Sequence, residues 1–294
     1  MPRTTQAILA AGLVAASLGA QAQNDKSLTI GTLNWAENIA VANMWKLVLE
    51  EAPYDYDVEL SNVGKSVAFS GVASGDMDIS LETWLPATDA SYIEPYKDRL
   101  TIHDVWYRGA GMGLVVPSYV NADSIADLAG QGEAFEYQGQ PTIVGIDPGS
   151  SISSLTEDAI EAYELPMQQL SSSEVAMMAA LDDAYRRQEP MVVTLWSPHW
   201  AFAEYDLKYL DDPKGVYGDE EAIHWFSRTG FAEDDPWLAA VLNAWQMDDD
   251  SLGSLMAMIE KAGEPEEGAR QWIDENRPLV DEWLAAGEAA DQPL

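Results

Sequence analysis

Alternating strand and helix patterns constrain the fold of this chain more than any other feature of its sequence. In the first such run, short apolar stretches predict strands at 27–33, 56–60 and 78–83, with helices at 37–51 and 65–74 between them. Strands that alternate with helices are typical of a parallel sheet with crossover helices. The first part of the chain therefore predicts one α/β unit.

A second run of the same pattern begins near residue 111. It predicts strands at 111–116, 142–146 and 191–195, and helices at 124–128, 153–163 and 173–187. After about Asp211 the acidic chain is predicted to be helical, at 235–245, 251–261 and 266–286. Two such units predict two lobes that face a cleft, and ligands of open α/β sheets bind just beyond the carboxyl ends of strands.

Charge and composition exclude several classes of partner. The chain has 50 acidic and 15 basic residues, a formal net charge of −35, which repels nucleic acid and anionic membranes. Hydrophobic residues make up 47%, with 11 Trp and 12 Tyr, which favours a packed fold over a disordered one. The absence of cysteine excludes disulfides, thiol catalysis, thiolate metal sites and a lipidated N-terminal cysteine.

The first residues are typical of a secretory signal peptide. Arg3 precedes a short apolar run at 7–20, and Ala20-Gln21-Ala22 has the pattern of a cleavage site. The apolar run is too short to cross a hydrocarbon core of about 30 Å. We predict a signal peptide at 1–22 and a freely soluble, monomeric periplasmic protein that begins near Gln23.

Three tryptophans stand at the ends of predicted strands: Trp35, Trp84 and Trp196. Any one of them could simply cap the core, but three in equivalent positions predict an aromatic cage. Each π face is worth about 0.5–1 kcal/mol to a cation when exposed and ~2 kcal/mol when desolvated. Such a cage suits a methylated ammonium, which has no N–H to donate. Core or interface packing explains the other eight tryptophans.

Catalytic patterns are weak. The histidines His103, His199 and His224 are far apart and lack metal-binding spacing, and no nucleophile elbow or phosphate loop is present. We predict no enzyme, no metal and no cofactor. The alternative is a carbohydrate-active enzyme that uses tryptophans as stacking platforms and two carboxylates as acid and base, although no carboxylate pair stands out.

A glycine-bearing segment at 145–150, GIDPGS, joins a predicted strand to a predicted helix. Its backbone N–H groups could bind an anion, such as the carboxylate of a zwitterion whose cationic end lies in the cage. A plain tight turn is the other interpretation.

Several segments together resemble the glycine betaine-binding proteins of ABC importers, the OpuAC type. They are NWAENIAVANM, ETWLPAT, GLVVPSYV, GIDPGS and LWSPHWAFAEYDLKYLDDPKG, and the similarity runs over residues 27–285. The resemblance implies a type II periplasmic-binding fold, with lobe 1 at 23–117 and 211–294 and lobe 2 at 118–210. The hinge crossings are expected near 117–120 and 208–215, and closure of the lobes would sequester the solute.

The resemblance also implies a binding site and a partner. In the family, three tryptophans cage the ammonium and match Trp35, Trp84 and Trp196, while two backbone amides that hold the carboxylate match Gly145 and Ile146. The partner would be a membrane permease. A sensor subunit that presents solute to a receptor would use the same pocket.

One departure from the family pattern leaves the ligand open. Members that bind betaine have a histidine five positions after the W-L-P tryptophan, whereas this chain has Asp89. An ionised aspartate would repel a carboxylate. Either Asp89 turns away, or it is protonated, or the ligand differs from betaine. Choline, carnitine and dimethylsulfoniopropionate are the alternative ligands.

Overall fold

The structure is a computed structural model that describes residues 26–52 and 56–290. The predicted signal peptide at 1–22 lies outside the described residues. Within them, no helix is both long and apolar enough to cross a membrane.

The described residues form ten strands and twelve α-helices, with short 3-10 helices at Glu94–Tyr96 and Gly132–Phe135. The strands are β1 (Lys26–Thr32), β2 (Tyr56–Asn62), β3 (Ile79–Leu85), β4 (Leu100–Pro117), β5 (Glu136–Tyr137), β6 (Gln140–Val144), β7 (Gln168–Leu170), β8 (Val192–Ser197), β9 (Leu207–Tyr209) and β10 (Glu221–Arg228). The helices are α1 (Ala36–Glu50), α2 (Lys65–Ser74), α3 (Ala90–Ile93), α4 (Ile125–Leu128), α5 (Ser151–Ala162), α6 (Glu174–Arg187), α7 (Ala201–Glu204), α8 (Phe231–Asp234), α9 (Pro236–Ala244), α10 (Asp249–Ala262), α11 (Pro265–Glu275) and α12 (Arg277–Ala290).

One continuous sheet connects the two α/β units, in the strand order β2-β1-β3-β10-β4-β8-β6-β5. β1 runs parallel to β2 and β3, and β6 runs parallel to β7 and β8. These parallel sets with crossover helices confirm the predicted strand and helix alternation. At the middle of the sheet, β10 is antiparallel to both β3 and β4.

Two predictions for the C-terminal region were wrong. The chain after Asp211 is not only helical, because 221–228 forms the central strand β10, which pairs on both sides. Polar and apolar residues do not alternate regularly in EAIHWFSR, so the sequence pattern did not predict this strand. The single helix predicted at 266–286 is two helices that part at Asn276, and Pro278 sits in the first turn of α12, where proline is tolerated.

The long strand β4 changes partners along its length. Leu100–Ala110 pairs with β10, and Gly111–Pro117 pairs with β8 and β9. We propose that the first crossing between lobes lies at Ala110–Gly111 in β4, upstream of the expected 117–120. The second expected crossing, 208–215, overlaps the segment between β9 and β10 and stays a prediction.

The C-terminal helices pack on the first α/β unit. Trp45 of α1 contacts Trp245 and Trp283, with ring centroids 5.5 and 5.7 Å apart. All three rings are almost completely buried. Most of the tryptophans assigned to packing by the sequence therefore do lie in the core, while Trp200 is half-buried.

Candidate functional site

A partly open cavity lies between the two units, where β1, β3 and β8 end. Trp35, Trp84 and Trp196 all line it. The structure therefore brings together the three tryptophans that the sequence singled out, at the strand ends where they were expected.

Each tryptophan is positioned by a different element. Trp35 is the N-cap residue of α1, directly after β1, and is half-buried. Trp84 lies near the end of β3 and Trp196 near the end of β8, each only 4% exposed. No two of these three rings stack on each other within the described residues. Trp35 has Lys65 Nζ over its ring, 4.9 Å from the centroid, and Trp196 contacts the His199 ring edge to face.

Two buried glutamates, which sequence reasoning missed, hold the indole edges of this cage. Trp196 Nε1 donates to Glu37 Oε2 at 2.8 Å, and Trp84 Nε1 donates to Glu82 Oε1 at 2.9 Å. Asn38 donates to the other oxygen of Glu82 at 2.9 Å. Glu82 and Trp84 are two apart on a strand and so share a face, which was the available sequence signal. Both glutamates also line the cavity.

The carboxyl groups of both glutamates have raised pKa values. Burial raises the pKa of Glu37 well above its usual range, and the nearby Glu82 and Glu174 raise it further. Glu37 Oε1 is buried and has no hydrogen-bond partner among the described residues. Burial also raises the pKa of Glu82 to about 7, against the attraction of Lys65. A cation in the cavity would stabilise the ionised form of both groups.

Lys65 supplies a positive charge at the same cavity. It is the first residue of α2, its side chain is 5% exposed, and its Nζ lies 2.5 Å from Asp89 Oδ1. The Nζ is also 4.9 Å from the centroid of the Trp35 ring. Burial lowers the pKa of Lys65, but attraction to Asp89 and Glu82 outweighs it and the pKa is raised. The ammonium therefore stays charged.

Asp89 lies behind the cavity wall. It is completely buried and is not among the residues that line the cavity. Its Oδ1 binds Lys65, and its Oδ2 accepts a hydrogen bond from the Trp84 N–H at 2.8 Å. Of the possibilities that the sequence left open, the structure thus places Asp89 turned away from the cavity.

The segment after β6 offers amides to the cavity from the opposite unit. Ile146 lines the cavity, and no described residue accepts a hydrogen bond from its N–H. Ser151 and Ile152, the first residues of α5, line it as well. First-turn amides have no acceptor within their own helix, and the helix dipole favours an anion there. This end of the cavity suits a negatively charged group.

The structure does not support the role expected for Gly145. Its N–H donates to the Leu170 carbonyl at 2.9 Å, so this amide is already bonded within the protein. Gly145 is also not among the cavity-lining residues. A Cβ at this position would come within 3.0 Å of Gln169 Oε1, so the glycine serves close packing.

Hydrogen bonds connect the two units near the cavity. Glu174 Oε2, at the start of α6, accepts a hydrogen bond from the Ala36 N–H at 3.0 Å, and its Oε1 lies 3.1 Å from His199 Nε2. On the other side, the Tyr92 hydroxyl donates to the Gly149 carbonyl at 3.4 Å. Together with the Trp196–Glu37 bond, these contacts connect the two lobes.

His103 and His224 do not line the cavity and contact other protein groups instead. His103 stacks on Trp225 with centroids 3.6 Å apart, and burial lowers its pKa to about 4. His224 contacts the His103 carbonyl at 2.7 Å. No group of three or more His, Cys, Asp or Glu side chains in residues 26–52 and 56–290 could hold a metal ion.

Residues 26–275 match the family model described as the substrate binding domain of the ABC-type glycine betaine transport system. The chain belongs to this family. The match covers both lobes and every residue of the cavity described above. It confirms the resemblance that the sequence motifs indicated.

Curated relatives of this family are transport proteins. The chain is 39% identical over 185 residues to the glycine betaine/carnitine transport binding protein GbuC of Listeria monocytogenes, which is 62% of this chain and 58% of that protein. The alignment thus spans less than two thirds of that relative. It is 23% identical over 269 residues to the glycine betaine/proline betaine-binding periplasmic protein of Escherichia coli, covering 79% and 81% of the two chains.

A solved structure confirms the predicted fold. Lactococcal OpuAC, crystallised in its closed-liganded conformation with glycine betaine, superposes with a TM-score of 0.80 at 33% identity. The superposition covers 88% of this chain and 100% of that one. The protein therefore has the type II periplasmic-binding fold of this family, with two α/β lobes around a ligand cleft.

Proposed function

We propose that this protein captures glycine betaine in the periplasm and delivers it to the permease of an ABC importer. Family membership supports the transport role. The observation that carries the choice of ligand is a cavity lined by three tryptophans and two buried carboxyl groups, together with a lysine and residues at the start of a helix. The predicted signal peptide and a monomeric state remain part of this proposal.

The cage binds the cationic head by desolvation and charge. A trimethylammonium group has no N–H, so it gains little from directional acceptors but is attracted to aromatic faces by about 2 kcal/mol each when water is excluded. A bound cation favours the ionised forms of Glu37 and Glu82, which accept the indole N–H bonds behind the rings. Closure of the lobes removes the remaining water, which strengthens both attractions.

The other end of the ligand decides between betaine and choline. Lys65, the Ile146 N–H and the first turn of α5 all favour a negatively charged group. Betaine, carnitine and dimethylsulfoniopropionate have a carboxylate there, and choline has only a hydroxyl. Glycine betaine is the ligand named for the family model and for the relatives, which favours it among these zwitterions.

The alternative of a carbohydrate-active enzyme needs a free acid and a free base beside the tryptophans. Glu37 and Glu82 are the carboxyls closest to that description, but each accepts a hydrogen bond from a cage indole. The positions of Glu37 and Glu82 are explained by their role in anchoring the aromatic rings. The relatives are transport proteins, which favours a binding protein over an enzyme.

Calorimetric titration of the purified protein tests the ligand class. We expect glycine betaine to bind most tightly, ahead of carnitine, dimethylsulfoniopropionate and choline. Glycine, which has the same carboxylate but an unmethylated ammonium, serves as the matched control and should not bind. Binding of glycine as tightly as betaine, or no binding of any onium compound, would overturn the proposal.

A further inference from the structure

Burial by itself disfavours the charged form of Lys65. Its side chain is 5% exposed, and transfer of an ammonium out of water is costly unless it is paired. One of its three N–H donors meets Asp89 Oδ1 at 2.5 Å. No other described residue accepts a hydrogen bond from it, although it lines the cavity. Two donors of a buried cation thus remain for an acceptor that enters the cavity.

Asp89 and the backbone of β3 fix where this ammonium points. Asp89 is fully buried, and its second oxygen accepts the Trp84 N–H at 2.8 Å. The aspartate therefore connects the lysine to the same strand that presents a cage wall. Since Trp84 and Lys65 are both held through Asp89, the position of the cation is set relative to the cage.

The cation also stands beside an aromatic wall. Lys65 Nζ is 4.9 Å from the Trp35 ring centroid, so a ligand onium on Trp35 would lie near a second positive charge. Those two like charges repel each other within a site of low dielectric constant. A ligand that brings its own carboxylate between them removes that repulsion, whereas a simple cation does not.

Lys65 and α5 approach the ligand from opposite lobes. Lys65 and Ser150, the N-cap of α5, both line the cavity, and both also line a neighbouring pocket. A carboxylate bound between them would accept hydrogen bonds from lobe 1 and from the amides at the start of lobe 2's helix at once. The anionic end of the ligand then bridges the lobes.

We propose that Lys65 is the specificity-determining residue of this site: its ammonium binds the carboxylate of the solute, with Asp89 as the positioning residue, and so selects zwitterions over simple onium cations. This inference rests on the proposed function, since it requires an onium ligand in the cage. It names the residue that recognises the ligand's anionic end.

The test combines a change in the ligand with a change in the protein. Glycine betaine and its methyl ester share the trimethylammonium head, but the ester has no carboxylate charge. In the native protein we expect betaine to bind at least tenfold more tightly than the ester, because hydrogen bonds to charged groups are the stronger ones. Equal affinity for the two ligands in the native protein would overturn the proposal without any variant.

The variant removes the charge pair together, because Lys65→Met alone would leave Asp89 buried without its cation. In Lys65→Met/Asp89→Asn we expect betaine affinity to fall at least tenfold while ester affinity stays within threefold, so the preference disappears. Lys46→Met/Glu266→Gln is the matched control, since it removes a lysine–carboxylate pair of the same separation at the surface. It should keep the preference of the native protein.

Each result separates the inference from the proposed function. Parallel loss of betaine and ester affinity in the double variant would show that Lys65 only supports the cage, and an unchanged preference would show that Lys65 does not reach the carboxylate; both overturn the inference. Failure of the native protein to bind either ligand would instead refute the proposed function.

Discussion

Two clusters of tryptophans in this protein differ in what their indole edges do. In the core cluster, formed by Trp45, Trp106, Trp245 and Trp283, the rings pack on one another: Trp106 stacks on Trp245 with centroids 4.3 Å apart. The indole N–H groups of Trp45 and Trp245 are buried without a hydrogen-bond partner in the described residues. Trp45 and Trp245 are thus held by ring packing without an indole hydrogen bond, whereas the Trp106 Nε1 donates to the Leu81 carbonyl at 2.7 Å.

In the cavity, buried carboxyl groups hold the indole edges of two tryptophans. Trp84 and Trp196 are fixed at their edges by Glu82 and Glu37, and their faces are not covered by each other. An aromatic ring that receives a ligand must keep a face open, so its position has to be secured elsewhere. Tryptophan thus serves stability in the core cluster and ligand binding in the cavity.

The largest difference is expected when the whole ring is removed. Trp45→Ala should lower the free energy of unfolding by about 3–5 kcal/mol, because a fully buried ring leaves a cavity. Trp35→Ala, at a half-buried position, should cost less stability but weaken betaine binding by about tenfold or more. Chemical denaturation and calorimetry on both variants measure this, and equal stability losses would contradict the distinction.

A smaller effect is expected when only the indole edge changes. Trp196→Phe keeps an aromatic face but leaves Glu37 without a hydrogen bond, which should weaken betaine binding by about 1–3 kcal/mol. Trp245→Phe is the matched control, since its N–H has no partner to lose. Titration should show near-native affinity for that control. Similar affinity in both variants would mean that the edge bond does not position the cage.

The smallest effect is expected from pH. With a pKa raised to about 7, Glu82 becomes protonated as pH falls below 7, and its attraction for a ligand cation is lost. We expect betaine affinity to fall by less than about tenfold from pH 8 to pH 6, with proton release on binding. Glu82→Gln should reduce this pH dependence, with Glu37 contributing the remainder, whereas Glu266→Gln at the surface should leave it unchanged.

The same group sets a stability trend of opposite sign in the unliganded protein. Because the pKa of Glu82 is higher in the folded state than its ordinary 4.5, the folded state holds the proton more tightly. Its contribution to the free energy of unfolding therefore declines as pH rises from about 4.5 to about 7. A rising contribution over this window in native protein compared with Glu82→Gln would contradict the raised pKa.

Local patterning made much of the fold predictable. The parallel strands and crossover helices were visible as apolar runs of period two and near 3.6, and the cage tryptophans were found because they end such runs. β10 was missed because EAIHWFSR lacks a regular alternation of polar and apolar residues and is flanked by acidic stretches. Its place between β3 and β4 depends on pairing partners far away in the chain.

The sequence by itself determined the family, the two-lobed architecture and the three tryptophans at the strand ends, because these follow from local periodicity and motifs. Only the tertiary structure decided which polar groups share the cavity. Glu37, Glu82 and Lys65 do not stand out in a sequence with 50 acidic and 15 basic residues. They become candidate site residues because the structure buries them beside the cage. Asp89 was conspicuous in the sequence, yet its carboxylate turns inward because Lys65 and the Trp84 N–H satisfy both of its oxygens.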